Sequence, residues 1–235
     1  MSGAVKMGTT PKAGKSLKDQ NRWQVWLVIA ANTLFLYFVV KANAIELNGL
    51  KAVFTDANNL VSVGFALLIT TVVSNFLSAD MKARLVFLRW HHALPGHRAF
   101  TVYAPRDPRV DLVRLAETYG QPLPSAPAEQ NRLWYRLFQT VKDESHILQS
   151  HRDFLLLRDY TAIAVIFVVV YGACALLFVG SGRVCLIYLG LLLVQFCIVR
   201  QSASNAGVRL VTNVLATVST STHGKIARKR TNAKA

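Results

Sequence analysis

Residues 161–179, TAIAVIFVVVYGACALLFV, and residues 184–199, VCLIYLGLLLVQFCIV, contain no charged side chain. Two more runs of the same kind lie upstream: WQVWLVIAANTLFLYFVV at 23–40 and LVSVGFALLITTVVSNFLSA at 60–79. A bilayer core of about 30 Å is crossed by roughly 20 apolar residues at 1.5 Å each. All four runs fall in or near that length. Four buried helices of a water-soluble protein would leave very little amphipathic surface, so these runs predict four transmembrane helices.

The rest of the composition agrees. Hydrophobic residues make up 52% of the 235-residue chain and charged residues 17%, against about 25% charged in ordinary soluble domains. Residues 1–22 are polar and basic, and no small-residue cleavage site closes the apolar run behind them. The sequence therefore reads as beginning with an uncleaved first span, not a signal peptide. Cys174, Cys185 and Cys197 all lie in the last two apolar runs and form no CxxC pair. They read as small buried hydrophobes and not as metal or redox ligands.

Charge sets the orientation. Lys and Arg in short loops mark the cytoplasmic side. Residues 1–22 carry five basic residues, 80–160 twelve and 200–235 seven, whereas the loop 41–58 holds two and the turn 180–183 only Arg183. The alternation places both termini in the cytoplasm and makes the protein a multi-pass component of a bacterial inner membrane. The expected organisation is a disordered basic tail at 1–22, helices 1 and 2 within 23–79, a cytosolic domain at 80–160, helices 3 and 4 within 161–200, and a cytosolic helix with a basic tail at 201–235. Much of the net charge of +15 lies in the tails, which favours anionic lipid head groups as their partner over nucleic acid.

The fold class is therefore all-α, with a mostly helical cytosolic domain inserted between helices 2 and 3. The second span reads as running on past Asp80 into MKARLVFLRWHH as an interfacial extension. Leu94-Pro95-Gly96 breaks it, and the aromatic, β-branched stretch HRAFTVYAPRDPR reads as extended. A helix then starts with Asp107 as cap and Pro108 in its first turn and ends at Gly120. From Ala128 no Pro or Gly occurs until Gly172, which predicts one unbroken helix running into the third span and projecting about 45 Å. Trp134, Leu137, Val141, Leu148 and Leu155 recur along it at three and four, with Glu144 and His151 completing the series. This is either a coiled-coil seam or the face that packs on the chain's own domain. Val208, Val211, Leu215 and Val218 repeat at 3, 4 and 3, so the fourth helix should extend inward over 201–219, with small residues from Ser202 to Gly207 permitting close approach.

The sequence holds no catalytic motif: no GxSxG, no glycine-rich phosphate loop and no HExxH. His146 and His151 are five residues apart and so lie on different faces of a helix, and His92 and His97 straddle a Pro-Gly break; neither pair suits zinc. No metal and no cofactor is expected, and the protein reads as a non-enzyme. The spans carry Asn32 and Gln195 but no ionisable group at mid-depth, which argues against proton-coupled transport and points to interhelical hydrogen bonding. The densest polar set is HRDFLLLRDY at 151–160. His151, Arg152, Arg158 and Asp159, with the aromatic anchors Trp134 and Tyr135, are the candidate ligand or partner site. His151 also has a protonation change near neutral pH that would tune packing on its helix face. The simpler reading of the Arg-Asp pairs is that they flank the membrane and snorkel.

The strings Ala93-Leu94-Pro95-Gly96-His97-Arg98-Ala99-Phe100, Asp107-Pro108-Arg109 and Glu129-Gln130-Asn131-Arg132-Leu133-Trp134-Tyr135 resemble those of uncharacterised bacterial membrane proteins, over about 85–160. The four-helix plan is similar to that of membrane components of anti-phage defence systems, such as Kiwa. The resemblance implies no catalytic residue. Two functions are consistent with the sequence. One is a non-enzymatic membrane effector or sensor that forms a homo-oligomer, dimer or tetramer, and engages a cytosolic protein partner or signal. The other is an oligomeric channel or small-solute transporter. The insert of about 80 residues is more than a connector needs and favours the first.

Overall fold

The computed structural model describes residues 17–42, 45, 64, 67–70, 72 and 77–232. The expected disordered tail at 1–22 is corrected over 17–22, which open the first helix; its residues before Leu17, and most of the loop 41–58 and of the second span at 60–79, lie outside the described residues.

Every regular element among the described residues is helical. Helix α1 spans Leu17–Val40, α2 Ala79–Phe87, α3 Leu112–Tyr119, α4 Pro127–Val141, α5 Ser145–Ile166, α6 Gly172–Phe178 and α7 Gly182–Asn232. A π turn, Phe167–Tyr171, joins α5 to α6 without a break. Among the described residues three stretches are long and apolar enough to cross a membrane: Trp23–Val40, Ser145–Phe178 and Gly182–Thr220. Their outward faces are apolar and uncovered: Leu27 is 58% exposed, Val169 63% and Leu186 72%. In water each such side chain would forfeit roughly 1.5–3 kcal/mol of burial; in hydrocarbon it forfeits nothing. The protein is thus consistent with a multi-pass membrane protein.

Two hydrophobic cores lie along the same pair of helices. The first gathers Ile29 and Leu36 of α1, Phe167 and Tyr171 of the π turn, and Tyr188 and Leu192 of α7. The second gathers Phe100, Leu115, Trp134, Leu137, Val141 and Phe154 with Leu210, Val211, Val214, Leu215 and Val218 of α7. The helix that begins in the last apolar run continues through 201–219, and Val211, Leu215 and Val218 lie in that second core. α5 and α7 run antiparallel. Polar rungs fix their register: His146 with Thr217 at 2.9 Å, Asn213 donating to Ser150 at 2.9 Å, and Gln195 donating to the Tyr160 hydroxyl at 2.8 Å. Between the rungs Gly207 permits close approach. A Cβ there would come within 2.8 Å of Phe87 Cζ and 2.9 Å of Phe154 Cε2.

Several expectations are corrected. The unbroken helix from Ala128 into the third span does not form. α4 ends at Val141, Glu144 adopts an extended backbone (ψ 134°), and α5 restarts at Ser145. The break lets α4 fold back beside α5, so that Phe138 meets the edge of His151 at 5.2 Å between ring centroids. Trp134, Leu137 and Val141 are accordingly buried in the chain's own core, while Glu144 and Leu148 are exposed. There is no single seam and no 45 Å projection.

Residues 95–106 are not extended. They form successive turns of 3-10, π and 3-10 helix. The cause is Gln130, 1% exposed, whose Oε1 accepts from the amides of Phe100 and Thr101 at 3.1 and 3.2 Å. α3 is capped by Asp111, which accepts from the Arg114 amide at 3.0 Å. Asp107, the expected cap, instead binds Arg109 through both amide and guanidinium. α2 is a separate helix: Ser78 is extended (ψ 159°) and accepts from the Met81 amide at 3.2 Å. The amide of Asn32 donates to Val28 O of its own helix, not to a neighbour. Only Cys185 of the three cysteines is buried; Cys197 lies exposed on α7.

Candidate functional site

Because α4 and α5 meet at the 142–144 break, they diverge around a cavity of about 610 Å³. From α4 come Asn131, Trp134, Tyr135, Phe138 and Gln139. From α5 come Leu148, His151, Phe154, Leu155 and Arg158. Leu94 and Pro95 close one side, Leu210 of α7 lies opposite, and Lys142 with Asp143 sits at the hinge. The lining is predominantly apolar by area, with Asn131, Gln139, His151 and three charged groups among it, a mixture common in ligand sites of this size.

Local sequence explains the walls. Pro127 and Glu129 open α4 in the positions that suit a helix N-terminus. Trp134 then stacks on Phe138, 5.6 Å apart and 17° from parallel. The Leu94-Pro95 turn reaches this wall because residue 96 is glycine. A Cβ there would clash with the Asn131 side chain and come within 2.8 Å of Trp134 Cε3. His97 straps the same turn, its Nδ1 donating to Leu94 O at 3.1 Å. Burial pushes the His97 pKa below its ordinary value, with the bond to Leu94 opposing the shift. The ring therefore stands neutral at pH 7 and serves the turn as a hydrogen-bond donor. The indole nitrogen of Trp134 is buried with no hydrogen-bond partner among the described residues.

The electrostatics concentrate at Arg158. Its guanidinium lies 3.1 Å from Asp159, and Lys82 of α2 approaches the same carboxylate oxygen at 3.2 Å. The three side chains are only 11–14% exposed. Two cations therefore share one carboxylate in a partly desolvated place. Near the other end Lys142 and Asp143 are adjacent and of opposite sign.

Of the residues singled out from sequence, Trp134, Tyr135, His151 and Arg158 come together on this cavity. Asp159 stands behind it and positions Arg158. Arg152 is half-buried on α5 outside the lining. Phe138, Leu148 and Phe154 also line it, and Lys82 completes the charge cluster. The signal for Leu148 lay in its spacing with His151 and Leu155; nothing local announced Lys82, which is 77 residues from its partner. The Arg158–Asp159 pair turns inward rather than snorkelling outward.

The walls offer an apolar body and a cationic end. No lining residue combines with a neighbour as nucleophile and base, and among the described residues no three His, Cys, Asp or Glu side chains lie close enough to hold a metal ion. Comparison with family models, with characterised proteins and with solved structures finds no match in any of the three.

Proposed function

We propose that this chain is a non-enzymatic sensor or effector of a bacterial inner membrane, with four spans, both termini in the cytoplasm and the second core on the cytosolic side. In this reading the cavity between α4 and α5 receives the signal, a ligand or a partner segment, and the chain assembles as a homo-oligomer, dimer or tetramer. A role in defence against phage belongs to the same proposal and rests on the resemblance of plan alone.

The observation that carries the reading is that α5 and α7 each run without interruption from the apolar, lipid-compatible core into the core that holds the cavity. A binding event at Phe154 or Leu210 therefore acts on the same helices that carry Ile163 and Leu192. Proton-coupled transport has less support, because the four apolar runs contain no Asp, Glu, Lys, Arg or His, and a pore has less because the polar Thr33 and Tyr171 bond to each other at 2.6 Å.

Reporter fusions test the plan. Fusions after residue 50 should report the outside, and fusions after 125 and at 235 the cytoplasm. A signal from outside at 125 would overturn it. The assembly is tested by particle mass in mild detergent, where a monomer at every concentration would remove the oligomer from the proposal.

A further inference from the structure

The cavity also carries information about what fills it. We infer that it holds a long-chain amphiphile with a singly negative head, the chain lying between α4 and α5 and the head against Arg158. This rests on the reading of the cavity as the binding site and adds the chemistry of its occupant.

The volume of about 610 Å³ and the walls of Trp134, Phe138, Phe154 and Leu210 call for an apolar body. Charge calls for one anionic group at a defined end. Lys82 and Arg158 share a single carboxylate, Asp159, with all three side chains at most 14% exposed. The cluster retains one uncompensated positive charge in a place where water screens it poorly. Desolvated charge of that kind is costly unless matched, and an anion reaching Arg158 from the cavity matches it with a charge-assisted hydrogen bond. The opposite end offers no such excess, since Lys142 is offset by Asp143. This fixes the direction of the ligand.

Position supports the same choice. Arg158 precedes by three residues the charge-free segment that begins at Thr161, less than one helical turn away. It therefore stands where amphiphile heads concentrate. A small soluble anion would have no use for the aromatic walls, and a neutral lipid would leave the positive charge uncompensated.

The test uses the full chain, stripped of co-purifying lipid in a non-ionic detergent and titrated separately with oleate, oleyl alcohol and inorganic phosphate, with bound mass read by native mass spectrometry. Oleate should saturate at one per chain, and oleyl alcohol should bind at least about tenfold more weakly. Phosphate should not bind. Arg158→Gln should weaken oleate about tenfold and leave oleyl alcohol unchanged; Lys82 still neutralises Asp159 in that variant. Arg158→Lys should retain most of the affinity. Leu148→Trp, at the exposed rim, should weaken both long-chain ligands. Equal affinity for oleate and oleyl alcohol overturns the inference, as does oleate binding indifferent to Leu148→Trp. Phosphate bound as tightly as oleate would mean an anion site without a chain, and oleate displaced from wild type only by a peptide segment of the chain itself would mean a protein groove. Binding in detergent does not depend on orientation, so an outside signal from the fusion at 125 would sink the proposed function and leave this result standing.

Discussion

Lys82 Nζ lies 3.2 Å from Asp159 Oδ1, and this contact ties α2 to α5. Asp159 also accepts from Arg158, so one carboxylate is shared by cations on two helices. Removing one member of a buried pair typically costs 3–5 kcal/mol, because the remaining charge stays desolvated. Asp159→Asn should therefore lower stability by roughly 3 kcal/mol, read as the unfolding temperature of the detergent-solubilised chain. Adding Lys82→Met to that variant should recover part of the loss. An Asp159→Asn protein as stable as wild type would show the cluster to be solvated.

Gly207 is the closest point between α7 and the phenylalanines of α2 and α5. Gly207→Leu forces Phe87 or Phe154 out of place and should cost about 1–3 kcal/mol, the usual range for overpacking. Gly190 sits on the same helix with nothing within 4 Å of its ideal Cβ. Gly190→Ala should be neutral or slightly stabilising, since alanine is the better helix former. Equal effects at the two sites would contradict the close approach at 207.

Gln130 holds the π turn from inside. Its Oε1 satisfies the amides of Phe100 and Thr101, and its Nε2 donates to Ser125 O at 2.7 Å. Gln130→Leu keeps the bulk and strands those groups, at roughly 1–3 kcal/mol for each one left unsatisfied. Hydrogen exchange should locate the damage, with protection lost first at the amides of Phe100 and Thr101. Unchanged protection there would remove Gln130 as the cause of the turn.

Acid should reveal Asp107. The Arg109 guanidinium bonded to it holds its carboxyl at about 2, down from 3.8. A carboxyl whose pKa is lower folded than unfolded stabilises the fold at pH above about 4 and loses that contribution as the pH falls toward 2. Thermal unfolding measured between pH 6 and 2 should decline across that window. Asp107→Asn should start lower and decline less. Parallel curves for the two proteins would show that the Arg109 contact contributes nothing to folding.

What the chain reveals without its structure follows from how local each signal is. The charge-free runs announce membrane-compatible helices, and the 3-4-3 spacing of Val208, Val211, Leu215 and Val218 announces the extension of α7, because periodicity and hydropathy are properties of one segment. The break at 142–144 is invisible: Lys142-Asp143-Glu144 contains neither proline nor glycine, and the contact that accompanies it, Phe138 against His151, joins residues thirteen apart. The π turn is equally hidden, since its cause lies 29 and 30 residues downstream. At the site, the aromatic pair 134–135 and the polar set 151–160 mark the neighbourhood, but the cavity exists only because the helix carrying them is folded in two.

The length of α7 has a mechanical consequence. Its 51 residues make a rod of about 76 Å at 1.5 Å per residue, built into both cores and interrupted in neither. Such a rod transmits rotation as a shaft does. Tyr188 in one core and Val211 and Leu215 in the other sit on this one helix, and the rungs to Ser150 and Tyr160 join it to α5 at both levels. The two cores are therefore joined by one continuous lever, and neither can be repacked around α7 without meeting the same helix in the other.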